Sequence, residues 1–156
     1  MMIAPVENDT ELACVRLLCV EDNPDDVELI AYAFKKAGIV NPIIVVDDGE
    51  KAINYVHGRS AYADRREFPV AGIILLDLKL PRRSGFEVLE AVRATEPTRR
   101  VPVVVLTSSN QQEDIRRAYD MGANSYLVKP ISRDALIAMA QSLDAFWMKL
   151  NQSVSS

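Results

Sequence analysis

Ala71-Gly-Ile-Ile-Leu-Leu-Asp77 is an apolar run that ends in a carboxylate. Short runs rich in Val, Ile and Leu are typical of strands that are buried on both faces, as in a parallel sheet. Three other apolar runs also end at polar residues: residues 16–20 before Glu21-Asp22, residues 101–106 before Thr107, and residues 125–128 before Lys129-Pro130. Because ligands bind outside the carboxyl ends of the strands in open parallel sheets, the four runs predict one site at one sheet edge.

The rest of the chain predicts an alternation of strands and helices. We expect strands at about residues 16–21, 43–47, 71–77, 102–107 and 124–128. The helices between and after them are expected to begin at Asn23, Asp48, Ser84, Asn110 and Ser132, the last one running to about Leu150. Five strands alternating with five helices predict a doubly wound α/β fold. The common strand order 2-1-3-4-5 would place the first and third strands side by side, so that Asp22 and Asp77 meet.

Composition predicts one globular domain, because 49% of the 156 residues are hydrophobic and 26% are charged. We expect a leader at residues 1–15, the domain at residues 16–150 and a flexible tail at residues 151–156. The net charge of −4 offers no electrostatic reason to bind nucleic acid or an anionic membrane. No apolar run approaches the roughly 18–20 residues that span a bilayer, and the leader lacks the pattern of a signal peptide. We therefore expect a cytoplasmic protein.

Carboxylates from two strand ends would meet at the predicted site. Glu21, Asp22 and Asp77 would lie close together, and like charges so close destabilise the fold unless a cation is present. Carboxylate-rich oxygen sites suit Mg²⁺, which also binds phosphate oxygens. Lys129 supplies a second positive charge and Thr107 a hydroxyl that can bond to a phosphoryl oxygen. Asp77 is then left as a nucleophile that can accept a phosphoryl group as an acyl phosphate.

Each of these features also has an ordinary structural interpretation. An acid after a strand is often a helix cap or a turn residue, and a lone Lys-Pro usually belongs to a loop. Asp22 could mark only the entry to a helix, and Thr107 only a turn. All of these interpretations would have to hold together on one sheet edge, so the functional one is favoured.

Four motifs occur in this order: Val20-Glu-Asp-Asn-Pro24, Leu75-Leu-Asp-Leu-Lys-Leu-Pro81 with Ser84-Gly85, Val105-Leu-Thr107, and Gly122-Ala-Asn-Ser-Tyr-Leu-Val-Lys-Pro130. With them the chain resembles the receiver domains of two-component response regulators, from about residue 16 to residue 147. The resemblance implies a flavodoxin-like fold. It also implies a phosphoacceptor signalling protein rather than an enzyme with a separate substrate.

The resemblance implies a role for each site residue. Asp77 would be the phosphoacceptor, and Glu21 and Asp22 the acidic pair, with Asp22 and Asp77 as direct ligands of Mg²⁺. Lys79 lies where a backbone carbonyl completes the metal site. The remaining roles fall to Thr107 as the switch hydroxyl, Lys129 as the lysine that pairs with the phosphate, and Tyr126 as the aromatic residue that changes rotamer on activation.

The implied partner is a histidine kinase or a histidine phosphotransfer protein, and the implied function is that of a single-domain switch. The chain further resembles stand-alone receivers that serve bacterial and cyanobacterial phytochrome histidine kinases. Four segments carry this resemblance: Glu21-Asp-Asn-Pro-Asp-Asp26, Tyr62-Ala-Asp-Arg65, Leu75 to Gly85, and Phe146-Trp147. Members near that group often carry Asn or another neutral residue at the position of Lys79. A lysine there alters access of the hydrolytic water to the phosphoryl group, so the lifetime of the phosphate is left open. The cognate kinase and the downstream target are also left open.

Other classes of protein share parts of this pattern. A phosphohydrolase of the haloacid dehalogenase type also uses an aspartyl nucleophile, but it needs an acid where this chain has Lys79. A flavodoxin-like electron carrier needs a Ser/Thr/Gly-rich loop after the first strand, where this chain has Glu21-Asp-Asn-Pro24. A degenerate receiver that acts only as a scaffold is disfavoured because all five site positions hold competent groups.

Two further structural predictions follow from the same motifs and from the last helix. The Lys129-Pro130 bond is expected to be cis, because the lysine must turn back toward Asp77 directly after the strand. Ile137 and Met148 lie beside the core stripe of the last helix, which favours a homodimer through helix 4, strand 5 and helix 5.

Overall fold

Six strands form the central sheet, in a computed structural model that describes residues 2–3 and 15–145. The strands are β1 Met2–Ile3, β2 Arg16–Val20, β3 Ile43–Val46, β4 Ala71–Leu76, β5 Val103–Thr107 and β6 Ser125–Val128. Five of them are parallel and follow the spatial order β3-β2-β4-β5-β6. This is the predicted order 2-1-3-4-5, so the expected sheet topology is confirmed.

The short strand β1 is an addition to that prediction, because the sequence predicts no strand in residues 1–15. Its two residues pair antiparallel with Ile43 and Ile44 of β3. The pairing covers backbone groups that would otherwise be open at the edge of the sheet. Residues 4–14 lie outside the described residues, so the expected boundary between leader and domain stays a prediction.

Five α-helices cover the sheet on both faces. They are α1 Pro24–Lys36, α2 Gly49–His57, α3 Gly85–Ala94, α4 Gln112–Asp120 and α5 Arg133–Leu143. On one face, α1 and α5 pack against strand residues such as Leu17 and Ile73, and on the other, α2, α3 and α4 pack against residues such as Leu18 and Ile74. The doubly wound α/β fold is therefore confirmed. Within the described residues, no helix is long and apolar enough to cross a bilayer.

Side-chain caps begin four of the helices at the predicted residues. At the start of α2, the Asp48 carboxylate accepts a hydrogen bond of 2.7 Å from the Lys51 N–H. Asn23 and Ser132 each accept a hydrogen bond from a backbone N–H in the first turn, and Ser84 forms a reciprocal capping box with Glu87. The predicted extension of α5 to about Leu150 lies outside the described residues beyond position 145, as do Phe146, Trp147 and Met148.

The predicted start of α4 at Asn110 is wrong. Asn110 is exposed, the helix begins at Gln112, and Gln111 holds the cap position without a side-chain hydrogen bond. The buried Ser109 hydroxyl instead accepts a long bond of 3.4 Å from the Gln111 N–H and donates one of 2.6 Å to Asp114. Ser and Asn side chains can both bond to the first turn of a helix. Here Ser109 makes these bonds because it is buried against the start of α4, whereas Asn110 is exposed.

The long connection between α2 and β4 is anchored by aromatic packing. It contains a 3-10 turn at Ser60–Tyr62. The rings of Tyr62 and Phe68 pack on Tyr55 of α2 at centroid distances of 5.1 and 6.1 Å. The Tyr55 hydroxyl donates to the Pro69 carbonyl at 2.7 Å. This segment is therefore a folded extension of α2.

Candidate functional site

Strand pairing brings the two acidic strand ends together. Val20 of β2 lies beside Leu76 of β4, and the Asp77 N–H continues the ladder by donating to the Val20 carbonyl at 3.0 Å. Glu21 directly follows Val20 and therefore lies at the same level of the sheet edge. The predicted meeting of the two strand ends is what the structure shows.

Three carboxylates cluster at this edge. Ligand oxygens of Glu21, Asp22 and Asp77 all lie within 4.8 Å of one another. Glu21 and Asp77 are buried, whereas Asp22 is exposed. Burial raises the pKa of Glu21 to about 7, although its hydrogen bond from Lys129 acts in the opposite direction. A raised pKa is the expected result where carboxylates outnumber cations in a partly desolvated site.

Lys129 places its ammonium in the middle of the acids. Its Nζ donates to Asp77 Oδ2 at 3.0 Å, Glu21 Oε1 at 2.5 Å and Asp26 Oδ2 at 2.9 Å. Burial alone would lower the pKa of Lys129, but these three hydrogen bonds outweigh it and raise the pKa. The Lys129-Pro130 bond is cis, as predicted.

Asp26 is a residue of this cluster that the sequence analysis does not assign. It lies in the first turn of α1, where an acid is usually explained by the helix dipole. Its neighbour Asp25 satisfies that explanation equally well, and it is exposed to solvent. The sequence places Asp26 only a few residues after Glu21 and Asp22, and this spacing does not distinguish it from Asp25.

The turn after β4 positions Oδ1 of Asp77, the carboxylate oxygen that does not bond to Lys129. The Lys79 N–H donates to Asp77 Oδ1 at 3.1 Å, while the Lys79 side chain is exposed. Gly85, the first residue of α3, packs directly on this turn. A Cβ at that position would lie 2.3 Å from the Asp77 carbonyl oxygen and 2.5 Å from Leu78 Cα. Only glycine allows α3 to begin so close to Asp77.

Thr107 ends β5 with a completely buried side chain. Its hydroxyl has no hydrogen-bond partner among the described residues. A buried hydroxyl without a partner is unfavourable by about 1–3 kcal/mol and is rare in folded proteins. The backbone carbonyl of Thr107 accepts a bond of 2.8 Å from the Lys129 N–H, which ties the two residues together. The Thr107 hydroxyl is thus available to a ligand oxygen at the same edge.

Tyr126 lies on β6 with a half-buried ring. Its hydroxyl donates to the Ser109 carbonyl at 2.9 Å. Since the Ser109 hydroxyl in turn bonds to Asp114 of α4, Tyr126 contacts the loop that leads from Thr107 into α4. The structure therefore places Tyr126 next to that loop, and Ser109 and Asp114 are further residues that the sequence analysis does not single out.

The donor set suits a divalent cation. All three clustered groups are oxygen donors, and the exposed Asp22 leaves the cluster open to solvent on one side. Mg²⁺ prefers one or two carboxylates, retained waters and phosphate oxygens. The residues present therefore fit the predicted Mg²⁺ site. Participation of the Lys79 backbone carbonyl stays a prediction.

Residues 17–141 match the response regulator receiver domain. The chain belongs to this family. The predicted resemblance is therefore confirmed over most of the chain, and this receiver domain is part of a signalling family. The two other phosphate- or cofactor-binding classes considered above are excluded by the same match.

Three relatives show where this receiver domain lies in the family. It is 39% identical to the probable methanogenesis regulatory protein FilR2 of Methanothrix harundinacea, over 88% of this chain and 86% of that protein. It is 33% identical to the response regulator Rcp1 of Synechocystis, over 85% of this chain and 88% of that protein. A structure of Rcp1 in its Mn²⁺-bound form has a TM-score of 0.77, with 31% identity over 90% of this chain and 99% of that chain.

The third relative is the cyanobacterial phytochrome response regulator RcpA, whose structure was determined in the phosphorylated state. Its TM-score is 0.78 and its identity 31%, over 90% of this chain and 98% of that chain. Phytochrome response regulators are thus among the structural neighbours of this receiver domain.

Proposed function

We propose that this protein is a signalling switch that accepts a phosphoryl group on Asp77 from a histidine kinase or a histidine phosphotransfer protein. The observation that carries the proposal is the arrangement around Asp77. Its carboxylate is buried at a strand end, bonded to Lys129 and clustered with Glu21 and Asp22. The proposal includes a cytoplasmic location, because the kinase reaction that supplies the phosphoryl group consumes ATP.

In the proposed reaction an Asp77 oxygen attacks the phosphorus of a phosphohistidine. The new P–O bond forms as the P–N bond breaks, and the imidazole leaves with the electron pair of that bond and takes up a proton from solvent. Lys129 neutralises charge beside Asp77 and can donate to a phosphoryl oxygen. The unpartnered Thr107 hydroxyl supplies a second donor. The acceptor in this reaction is the protein's own side chain.

We propose Mg²⁺ as the cofactor, held by Asp22 and Asp77 with Glu21 beside them and the Lys79 carbonyl as a further ligand. When bound, Mg²⁺ neutralises charge on the phosphoryl oxygens and orients them. The residues themselves position Asp77: the Lys79 N–H holds Oδ1, and Lys129 holds Oδ2.

Signalling then requires that the state of Asp77 reaches the surface. A phosphoryl oxygen bonded to the Thr107 hydroxyl would draw Thr107 and the following loop toward Asp77. The Tyr126 hydroxyl bonds to that loop at Ser109, so a shift of the loop would break this bond and release the ring to another rotamer. Phosphorylation would thus shift the population of two conformations of this loop.

We propose a phytochrome-type kinase as the partner, supported by the similarity to RcpA. FilR2, a probable methanogenesis regulatory protein, is at least as similar in sequence, which leaves a kinase of another sensor class as the alternative partner. Phosphotransfer from a purified phytochrome kinase, compared with kinases of other sensor classes, distinguishes the two. Single-domain signalling is supported by the large share of FilR2 and Rcp1 that this chain spans.

A homodimer through α4, β6 and α5 is a further part of the proposal. Tyr119 of α4 is 48% exposed and Val128 of β6 is 38% exposed, so large apolar side chains face solvent on two of the three elements. Ile137, on which the sequence analysis relied, is half-buried against the core cluster of α1 and α5 and offers less free surface than expected.

Asp77→Asn tests the phosphoacceptor. The substitution keeps size and shape, so the fold should persist while acid-labile phosphate uptake from acetyl phosphate is lost. Asp47→Asn is the matched control, because Asp47 is an exposed acid at the same sheet edge that pairs with Lys51. Equal labelling of Asp77→Asn and the wild type would exclude Asp77 as the acceptor.

A further inference from the structure

The three hydrogen bonds of the Lys129 ammonium go to carboxylates of very different exposure. The Glu21 side chain is 2% exposed and the Asp77 side chain 8%, whereas the Asp26 side chain is 29% exposed. An ammonium group has three N–H donors, so the described contacts use all of them. A phosphoryl group on Asp77 can take over the N–H that Asp77 Oδ2 accepts, and it gains a second bond from Lys129 only if Glu21 or Asp26 gives up its share.

Asp26 approaches Lys129 from a different side than the other two acids. It comes from the first turn of α1, whereas Glu21 and Asp77 come from the ends of neighbouring strands. Below this contact the cavity between α1 and α5 is only about 20 Å³ in volume and is lined by apolar side chains such as Ile30 and Leu136. This cavity is too small to take up the Lys129 ammonium, which is shared among the three carboxylates.

We propose that Asp26 is a positioning residue that competes with the phosphoryl group of Asp77 for the Lys129 ammonium. This inference rests on the proposed function of Asp77. Glu21 is enclosed at the edge of the sheet, so it cannot exchange Lys129 for water, whereas the partly exposed Asp26 can. Asp26 thus stabilises the unphosphorylated site by occupying one N–H of Lys129, and it weakens the phosphorylated site by retaining part of that bond.

Asp26→Asn removes the charge of the competitor and leaves its size unchanged. A charge-assisted hydrogen bond is roughly twice as strong as a neutral one, which corresponds to about a fivefold change in binding of a phosphoryl group that takes the bond over. A purely structural role of Asp26 predicts the opposite sign, because a loosened site binds a phosphoryl analogue more weakly. The direction of the effect therefore separates the two roles.

The experiment titrates the phosphoryl analogue beryllofluoride into the full chain at saturating Mg²⁺, followed by ¹⁹F NMR. Asp25→Asn is the matched control, because it makes the same charge change in the same helical turn away from Lys129. We expect about fivefold tighter binding to Asp26→Asn and unchanged binding to Asp25→Asn. Equal or weaker binding to Asp26→Asn overturns the inference, and so does equal tightening in Asp25→Asn.

Beryllofluoride binding to the wild type and to Asp77→Asn tests the proposed function independently of the role of Asp26. If wild-type protein binds no beryllofluoride, or if Asp77→Asn binds it equally well, the proposed function fails. If the wild type binds it, Asp77→Asn does not, and Asp26→Asn matches the wild type, only the competition of Asp26 is refuted.

Discussion

Gly85→Ala has opposite effects on helix propensity and on packing beside Asp77, the proposed phosphoacceptor. In an isolated helix, alanine is more favourable than glycine by about 1 kcal/mol. In this protein the added Cβ would lie 2.3 Å from the Asp77 carbonyl oxygen and 2.5 Å from Leu78 Cα. Both contacts are with backbone, which cannot move aside as the end of a flexible side chain can. The start of α3 and the turn after β4 must therefore separate by at least roughly 0.7 Å, because Cβ atoms essentially never approach other heavy atoms more closely than 3.0 Å.

The gain in helix propensity and the loss from overpacking change stability in opposite directions, and we expect the loss to be larger. Overpacking at a buried contact is unfavourable by about 1–3 kcal/mol, so Gly85→Ala should lower the free energy of unfolding by about 1 kcal/mol after the gain in helix propensity. The displacement also acts on the site, because the Asp77 backbone is the contacted group. Misplacement of a reacting group by about 1 Å can slow a reaction about 100-fold, so phosphorylation by acetyl phosphate should slow by roughly tenfold.

The assays are urea unfolding and the rate of phosphorylation at saturating Mg²⁺. Gly38→Ala is the control: Gly38 has φ +80° and nothing within 4 Å of an added Cβ, so alanine there introduces backbone strain alone. It should lower stability by about 1 kcal/mol without slowing phosphorylation. A Gly85→Ala protein that is as stable and as rapidly phosphorylated as the wild type would refute the reasoning.

Three further predictions concern the metal, the unpartnered hydroxyl and the dimer. Excess EDTA and Asp22→Ala should each abolish phosphorylation by acetyl phosphate; labelling that persists in EDTA contradicts the Mg²⁺ requirement. Thr107→Val should stabilise the unphosphorylated protein in urea by about 1 kcal/mol, because it removes a buried hydroxyl without a partner; a loss of stability would show that the hydroxyl is satisfied. Tyr119→Glu should weaken a dimer in sedimentation velocity, whereas Tyr32→Glu on α1 should not, and a monomeric wild type at tens of micromolar protein removes the dimer.

The order of the five parallel strands and five helices, and the sheet edge that holds the candidate site, were determined by the sequence alone. Buried strands in a parallel sheet must be apolar on both faces, so the sequence is sufficient to identify the run that ends at Asp77 as a buried strand. The end of such a run is also where a ligand binds, so Glu21 and Lys129 were found by the same reasoning. Caps at Asn23 and Ser84 are local hydrogen bonds within a few residues, and local chemistry predicts them well.

Other features depended on contacts between residues far apart in the chain. The third carboxylate on Lys129 comes from Asp26, and spacing alone does not show which of two adjacent acids in a helical turn faces a lysine 103 residues away. Gly85 looks like an ordinary glycine at a helix start until the Asp77 backbone is placed 2.3 Å from its missing Cβ. The Ser109 hydroxyl, and not the Asn110 side chain, bonds to the start of α4, because the loop buries Ser109 and exposes Asn110. Tertiary packing decides these features because burial and direction depend on the whole fold, whereas strand, helix and cap patterns depend on neighbours in the chain.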